Sequence, residues 1–266
     1  MYKGDCLEVM DYLIKKGVKV DAIITDPPYA ITGYKWDQII PFDAMWDKLL
    51  KLIKPNGAIV LFGNEPFSSN LRLSNDKLYR YDWKWVKTQV TGFQNVKFQP
   101  LRCYEDIMVF SRGSTVTNAI SHMIYYPQGI ITVNLKVRKS AIDYLSEKKT
   151  KSQEQEYTIQ EFADYPRNVI QFPRECNLMH PTQKPINLME YLIQTYTLKD
   201  ELVLDFTSGS GSTLIACEMS GRRWIGIEIT DKYCEVIKER LKNGIQLKLL
   251  FDFSNDQKKY DKEEFL

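Results

Sequence analysis

The chain has 266 residues, 44% of them hydrophobic and 26% charged, with a formal net charge of +2. That is enough apolar material for one large domain, or a domain with an insertion, and the near-neutral balance does not by itself announce a nucleic-acid partner. Five scattered cysteines without CxxC spacing and only two histidines speak against a zinc-type cluster and for free thiols in a reducing compartment.

In chain order, the opening "MYKGDCLEVMDYL" carries acids early and has no long apolar centre, so it does not read as a signal peptide. No apolar run approaches the ~20 residues that span a bilayer, and the expectation is a soluble, intracellular protein. "VDAIIT" (20–25) reads as a buried strand, "FDAMWDKLLKLI" (42–53) as an amphipathic helix stopped by Lys54-Pro55-Asn56-Gly57, and "AIVLFG" (58–63) as a second buried strand. "PFSSNLRLS" reads as helical, and "YDWKWVK" (81–87) and "DIMVFS" (106–111) as strands. Trp83, Trp85 and Tyr104 read as core. From Arg112 to Met179 the periodicity weakens; "SEKKTKSQEQEYT" is charged and expected to be mobile. Regular pattern returns with a helix over 186–197, a strand over 201–206, a helix over 212–220, a strand over 223–229 and a helix over 231–242 with Asp231 as N-cap. Short apolar strands alternating with helices predict an α/β fold with a mostly parallel sheet covered on both faces. The domain reading is a catalytic part over 1–111, an insertion over 112–179, a second part of the same domain over 180–250 and a tail over 251–266.

Two stretches carry chemistry. In "VLDFTSGSGSTLIAC" (203–217) a strand runs through a glycine turn into a helix. Gly209 and Gly211 allow close backbone approach, the helix N-terminus offers N–H groups, and Glu228 at the end of the next strand is placed to accept from ribose hydroxyls. Position 214 is Leu where a dinucleotide fingerprint wants its third glycine, and no GxxxxGK[ST] occurs, which counts against NAD, FAD and a P-loop. The second stretch is Asp26-Pro27-Pro28-Tyr29, at the carboxyl end of the first strand. The prolines lack N–H groups and stiffen the turn, leaving two acceptors, the Asp26 carboxylate and the Pro27 carbonyl, beside the flat ring of Tyr29. Two acceptors and a stacking face suit an exocyclic amine on a planar base. Residues 72–112 hold eight Lys or Arg against four acids, a modest basic face that suits a phosphate backbone or an ordinary solvated surface equally well.

These residues resemble the amino-group DNA methyltransferases that use S-adenosylmethionine (AdoMet). "TDPPY" is similar to their catalytic motif, "LDFTSGSGST" to their AdoMet loop, "GIEI" to the ribose-binding motif and "HPTQKPINLMEYLI" to the segment completing the methionine pocket. The catalytic motif precedes the AdoMet loop, which resembles the β-group, and "KTQVTGFQNVKFQPLRCYEDIMVFSR" resembles its adenine-specific, phage-borne and restriction-modification members. The family places Pro and Phe after the loop Asp; here Phe206 and Thr207 follow Asp205.

The resemblance implies a Rossmann-like methyltransferase fold with a seven-stranded sheet, a target-recognition insertion, and N6 methylation of an adenine swung out of double-stranded DNA, without a metal. It implies catalysis at Asp26, Pro27, Pro28 and Tyr29. AdoMet contacts are expected from Asp5, Asp205, Phe206, Thr207, Gly209, Gly211, Ser212, Thr213 and Glu228, with Thr182, Gln183 and Lys184 gripping the methionine end. Asp5 reads equally as the N-cap of "CLEVMDYL", and His180 reads as structural. Lys87, Asn95, Lys97 and Arg102 are the expected DNA contacts. A cytoplasmic location, a homodimer and a cognate restriction endonuclease are compatible with the family. N4-cytosine methylation, methylation of a protein glutamine amide and an inactive DNA-binding module are the competing readings; the first usually carries Ser and the second Asn in place of Asp26.

Overall fold

The computed structural model describes residues 1–34, 36–138, 157–175, 179–180 and 182–243. The charged 146–156 stretch, Cys176 and the 251–266 tail lie outside these residues.

Every residue of β2 (Val20–Thr25) is buried, as a strand covered on both faces requires. Successive side chains point to opposite faces, so one short run feeds two cores. Ile23 enters one cluster while Ala22 and Ile24 enter the other, and a register shift between Val20 and Ala22 turns Val20 to the side of Ile23. The same alternation runs through β3 (Ile53–Gly63), with Ile59 and Leu61 on one side and Val60 and Phe62 on the other. Helices α1 (Cys6–Lys15), α2 (Phe42–Leu52) and α3 (Phe67–Ser74) cover the first face through Met10, Leu13, Met45, Trp46, Leu49 and Leu71. Helices α4 (Ile186–Tyr196) and α5 (Ser212–Ser220) cover the second.

The remaining strands are β1 (Tyr2–Lys3), β4 (Tyr79–Thr91), β5 (Arg102–Phe110), β6 (Ile131–Arg138), β7 (Tyr157–Ala163), β8 (Val169–Phe172), β9 (Leu202–Asp205) and β10 (Arg223–Glu228). The main sheet has eight strands in the order β1-β10-β9-β2-β3-β5-β4-β8. Its ladders are parallel except β3 with β5 and β5 with β4. Eight strands replace the expected seven. The short β1 and β8 close the two edges, where half-exposed residues leave little apolar signal. Buried aromatic polar groups find partners: Trp83 Nε1 donates to Tyr196 Oη at 2.6 Å and Trp85 Nε1 to the Phe172 carbonyl at 2.9 Å. Tyr104 is corrected from core to surface, 47% exposed on the outward face of β5. Residues 231–243 form the final helix; the Cys234 N–H bonds the Thr230 carbonyl at 3.0 Å, so Thr230 and not Asp231 occupies the cap position.

A second compact unit, Pro127–Arg167, contains the antiparallel pair β6 and β7. It is narrower than the 112–179 interval, since 112–126 and 168–175 belong to the first unit. No helix among the described residues is long and apolar enough to cross a membrane, and none of their side chains cluster as a metal-ligand set.

Candidate active site

Strands β2, β9 and β10 run parallel, so their carboxyl ends open on the same side. There the chain forms a cavity of about 420 Å³ lined by Asp26–Tyr29 from the β2 tip, Asp205–Ser210 from the loop after β9, and Glu228 from β10. Crevices at the carboxyl ends of strands are where open α/β sheets bind ligands.

At the β2 tip, the Tyr29 hydroxyl donates to one oxygen of Asp26 and the Lys184 ammonium to the other. Lys184, only 7% exposed, also faces Glu105 Oε2 at 3.4 Å, and the Lys87 ammonium pairs with Glu105 Oε1. The four groups form a row of alternating charge, Lys87–Glu105–Lys184–Asp26. Burial raises the Asp26 pKa against the pull of Lys184, and the Glu105 charge adds to the rise. Burial opposes the Lys184 charge, but the two carboxylates outweigh it and its pKa is raised. Burial likewise works against the Glu105 charge, yet Lys184 and Lys87 hold its pKa below the ordinary value. Behind the turn, Asp37 fixes the following loop: its carboxylate accepts from the N–H groups of Tyr29 (3.0 Å), Ala30 (2.9 Å) and Thr32 (2.6 Å).

The glycine loop is tied to this tip. Thr25 Oγ1 donates to Asp205 Oδ1 at 2.6 Å, and Thr207 Oγ1 donates to the Asp26 carbonyl at 3.1 Å. Asp205 also accepts from the Thr207 N–H at 3.2 Å and from the Thr213 hydroxyl. Burial pushes its pKa up to about 6. Gly211 has φ +80°, and a Cβ there would stand 2.9 Å from Ile237 Cγ1, so the loop needs glycine both for its backbone and for its packing on the last helix. Glu228 closes the far side. One of its oxygens accepts from the Gly209 N–H and the other from the Thr230 N–H, both at 2.8 Å. The Thr230 hydroxyl and the Ile229 N–H add to this set, and the carboxylate lies on the cavity wall.

Met179, His180 and Thr182–Lys184 lie against the loop. Gln183 Oε1 accepts from the Met179 N–H at 3.0 Å and Ser210 Oγ at 3.3 Å, while its amide nitrogen donates to Glu175. Arg240 completes the clasp by donating to the Ser210 carbonyl at 2.7 Å. The His180 ring lies between Trp36 (5.1 Å) and Tyr233 (4.3 Å), and a Cβ on Gly209 would reach it at 3.7 Å. Burial, with Lys184 and Lys232 adding to it, lowers the His180 pKa to about 4. An unfolded-chain histidine takes its proton near 6.5. The folded ring resists that proton, so its contribution to stability is whole above pH 6.5 and is lost as pH falls toward 4. NMR titration of the ring protons is expected to give a midpoint near 4; a midpoint near 6.5 would refute the buried, neutral ring.

Of the residues expected from sequence, Asp5, Asp26–Tyr29, Thr182–Lys184, Asp205–Thr207, Gly209, Ser212, Thr213 and Glu228 all line the cavity. Asp5 does so while also capping α1, accepting from the Leu7 N–H at 2.8 Å. Phe206 combines a place on the wall with near-complete burial in the core. Gly211 is not part of the lining and starts α5 instead. The Lys184 ammonium is engaged by Asp26 and Glu105 while lying on the cavity wall. Lys87 pairs with Glu105, and its side chain is 10% exposed. Asn95, Lys97 and Arg102 are exposed. Sequence reasoning missed Glu105, Asp37, Trp36, Tyr233 and Arg240. An acid opening the apolar run "EDIMVF" was a signal for Glu105; the others had none.

A doubly wound sheet whose glycine loop and DPPY turn meet in one cleft is the architecture of the Rossmann-like methyltransferases. The chain belongs to the N6/N4 DNA methylase family, whose model matches residues 20–239. It is 28% identical over 237 residues to the DNA adenine methyltransferase YhdJ of Escherichia coli, covering 84% of this chain and 76% of that protein. It is 28% identical over 239 residues to the type II methyltransferase M.HpaI of Haemophilus parainfluenzae, covering 84% and 68%. Among solved structures, the M1.HpyAVI–SAM complex matches with a TM-score of 0.60 at 24% identity, over 90% of this chain and 97% of that one. The cytosine-N4-specific PvuII DNA methyltransferase matches with a TM-score of 0.59 at 16% identity, over 90% and 85%. At those identities the two structures speak for the fold.

Proposed function

We propose that this methyltransferase transfers the methyl group of AdoMet to the N6 amine of an adenine swung out of duplex DNA. The observation that carries the reading is the meeting, in one cavity, of the Asp26-Pro27-Pro28-Tyr29 turn with the Gly209 loop and Glu228. An acid at position 26, where cytosine-N4 enzymes usually carry Ser, favours adenine; the adenine-specific YhdJ is a relative over most of the chain.

The residues present fit AdoMet: a buried carboxylate, Glu228, for the ribose hydroxyls, a backbone turn at Gly209 open to close approach, and Asp5 and Thr182 on the same wall. AdoMet supplies an electrophilic methyl group on its sulfonium. The target base must leave the stack, at a cost of a few kcal/mol, and Tyr29 receives it face-on. Asp26 and the Pro27 carbonyl accept the two N6 hydrogens and draw the nitrogen lone pair out of the ring. With AdoMet bound, that lone pair would take the methyl group as the carbon–sulfur pair stayed on sulfur, and Asp26 would take the proton the nitrogen sheds. Orientation and the waiting acceptors supply most of the rate effect. Because Lys184 and Tyr29 hold Asp26 before the base arrives, the amine competes for oxygens that are already aimed into the cavity.

Incubation with isotope-labelled AdoMet and unmethylated plasmid DNA, followed by digestion and mass spectrometry of the nucleosides, is expected to yield N6-methyladenine, and sequencing of the product then maps the site. N4-methylcytosine would overturn the base assignment, and unlabelled DNA would reject the reaction.

A further inference from the structure

Between Asp82 and Glu105 the chain carries four cations and no acid. The middle of this stretch is the turn joining β4 to β5, and its exposed side chains are unusual: Phe98 is 88%, Phe93 64% and Val96 52% exposed. Apolar side chains cost solvation free energy when left in water, and three on one turn, two of them rings, call for a partner. The turn is not slack. Gly92 at φ +94° opens a 3₁₀ turn over Phe93–Asn95, and the Asn95 carbonyl accepts from the N–H groups of both Phe98 (2.9 Å) and Gln99 (3.0 Å). The backbone bonds are made within the turn, so the rings are presented outward with their ordering cost largely met before any partner binds.

Register fixes where the turn stands. Gly63 at the carboxyl end of β3 pairs with Asp106, and Trp85 pairs with Glu105. Asn64 and Glu105 both line the catalytic cavity. β4 runs parallel to β3, so its turn into β5 extends past the same end of the sheet on which the cavity opens, beyond the lining residue Glu105, with Lys97 and Arg102 exposed in the same stretch.

We propose that Phe93 and Phe98 form a wedge that enters the base stack of duplex DNA and holds open the gap left by the extruded base, with Lys97 and Arg102 on the flanking phosphates. The inference rests on the proposed base-flipping reaction and adds the element that drives it. An apolar side chain between base steps stabilises an unstacked duplex, and cations beside it match the phosphate backbone.

The test compares the unaltered chain with the double variant Phe93→Ala/Phe98→Ala on two duplexes carrying the mapped site, one with the target adenine paired and one with it opposite an abasic position, where extrusion is easier. The wedge predicts a drop of roughly 10- to 100-fold in kcat/KM on the paired duplex, largely recovered on the abasic duplex. Equal activity of the two proteins on the paired duplex overturns the wedge. So does an equal loss on both duplexes, and if size-exclusion then shows a dimer lost in the variant, the patch belongs to self-association. Failure of the unaltered chain on every DNA would instead strike the methyl-transfer reading itself, and the wedge with it.

Discussion

Asp26→Ala is expected to reduce kcat by at least about 10²–10³-fold, the scale on which removal of one preorganised group at a reacting centre is felt, while AdoMet affinity measured by calorimetry stays within a few-fold. The separation follows from the geometry. Asp26 touches Tyr29 and Lys184, whereas the groups facing the far side of the cavity, Glu228 and the Gly209 turn, are held by Thr230, Ile227 and Ser208 contacts that do not pass through the Asp26 carboxylate. The fold is expected to survive, because Lys184 still faces Glu105. A variant with unimpaired turnover would remove Asp26 from the chemistry, and parallel loss of turnover and donor binding would make it a structural residue.

Lys184→Met is expected to lower stability by about 3–5 kcal/mol, the cost of removing one partner from a buried ion pair, or roughly 10 °C in melting midpoint. Without the ammonium, Asp26 and Glu105 share a buried region with Lys87 alone to balance them. The pH dependence gives a second readout. In the variant both carboxyl groups are pushed toward the protonated form, so the folded state binds more protons than the unfolded chain. Its stability therefore rises as pH falls from 8 toward 5, and the gap to the unaltered chain narrows. Calorimetric melts across that range check both effects; an unchanged midpoint, or a gap that does not close on acidification, would contradict the charge row.

The legibility of this molecule follows the physics of burial. Strands β2, β3, β9 and β10 are covered on both faces and announce themselves as apolar runs, as do the helices packed on them. The edge strands β1 and β8 were not legible, because a two-residue strand and the half-exposed "VIQF" carry no run to detect. The antiparallel pair β6 and β7 was missed for a related reason: its strands alternate weakly amid polar residues. The site was legible where chemistry is local in sequence, in the DPPY turn and the glycine loop with its downstream Glu228. It failed where a contact joins distant positions. Lys184 meets Asp26 across 158 residues, and Lys87 meets Glu105 from the neighbouring strand. Neither pairing is encoded in spacing, so the sequence offered one lysine to the cofactor and the other to DNA without the acids that the fold sets beside them.

In the proposed reaction Asp26 gives up part of its hold on Lys184 and Tyr29 to receive the amine of an extruded adenine. A crystal structure of the chain with a non-reactive AdoMet analogue and duplex DNA carrying the mapped site measures this directly. The expected result is an Asp26 carboxylate oxygen and the Pro27 carbonyl oxygen each about 2.9 Å from N6, with Tyr29 against the base and the sulfonium side of the analogue facing the same nitrogen. An adenine seated elsewhere, with Asp26 still engaged only by Lys184 and Tyr29, would contradict it.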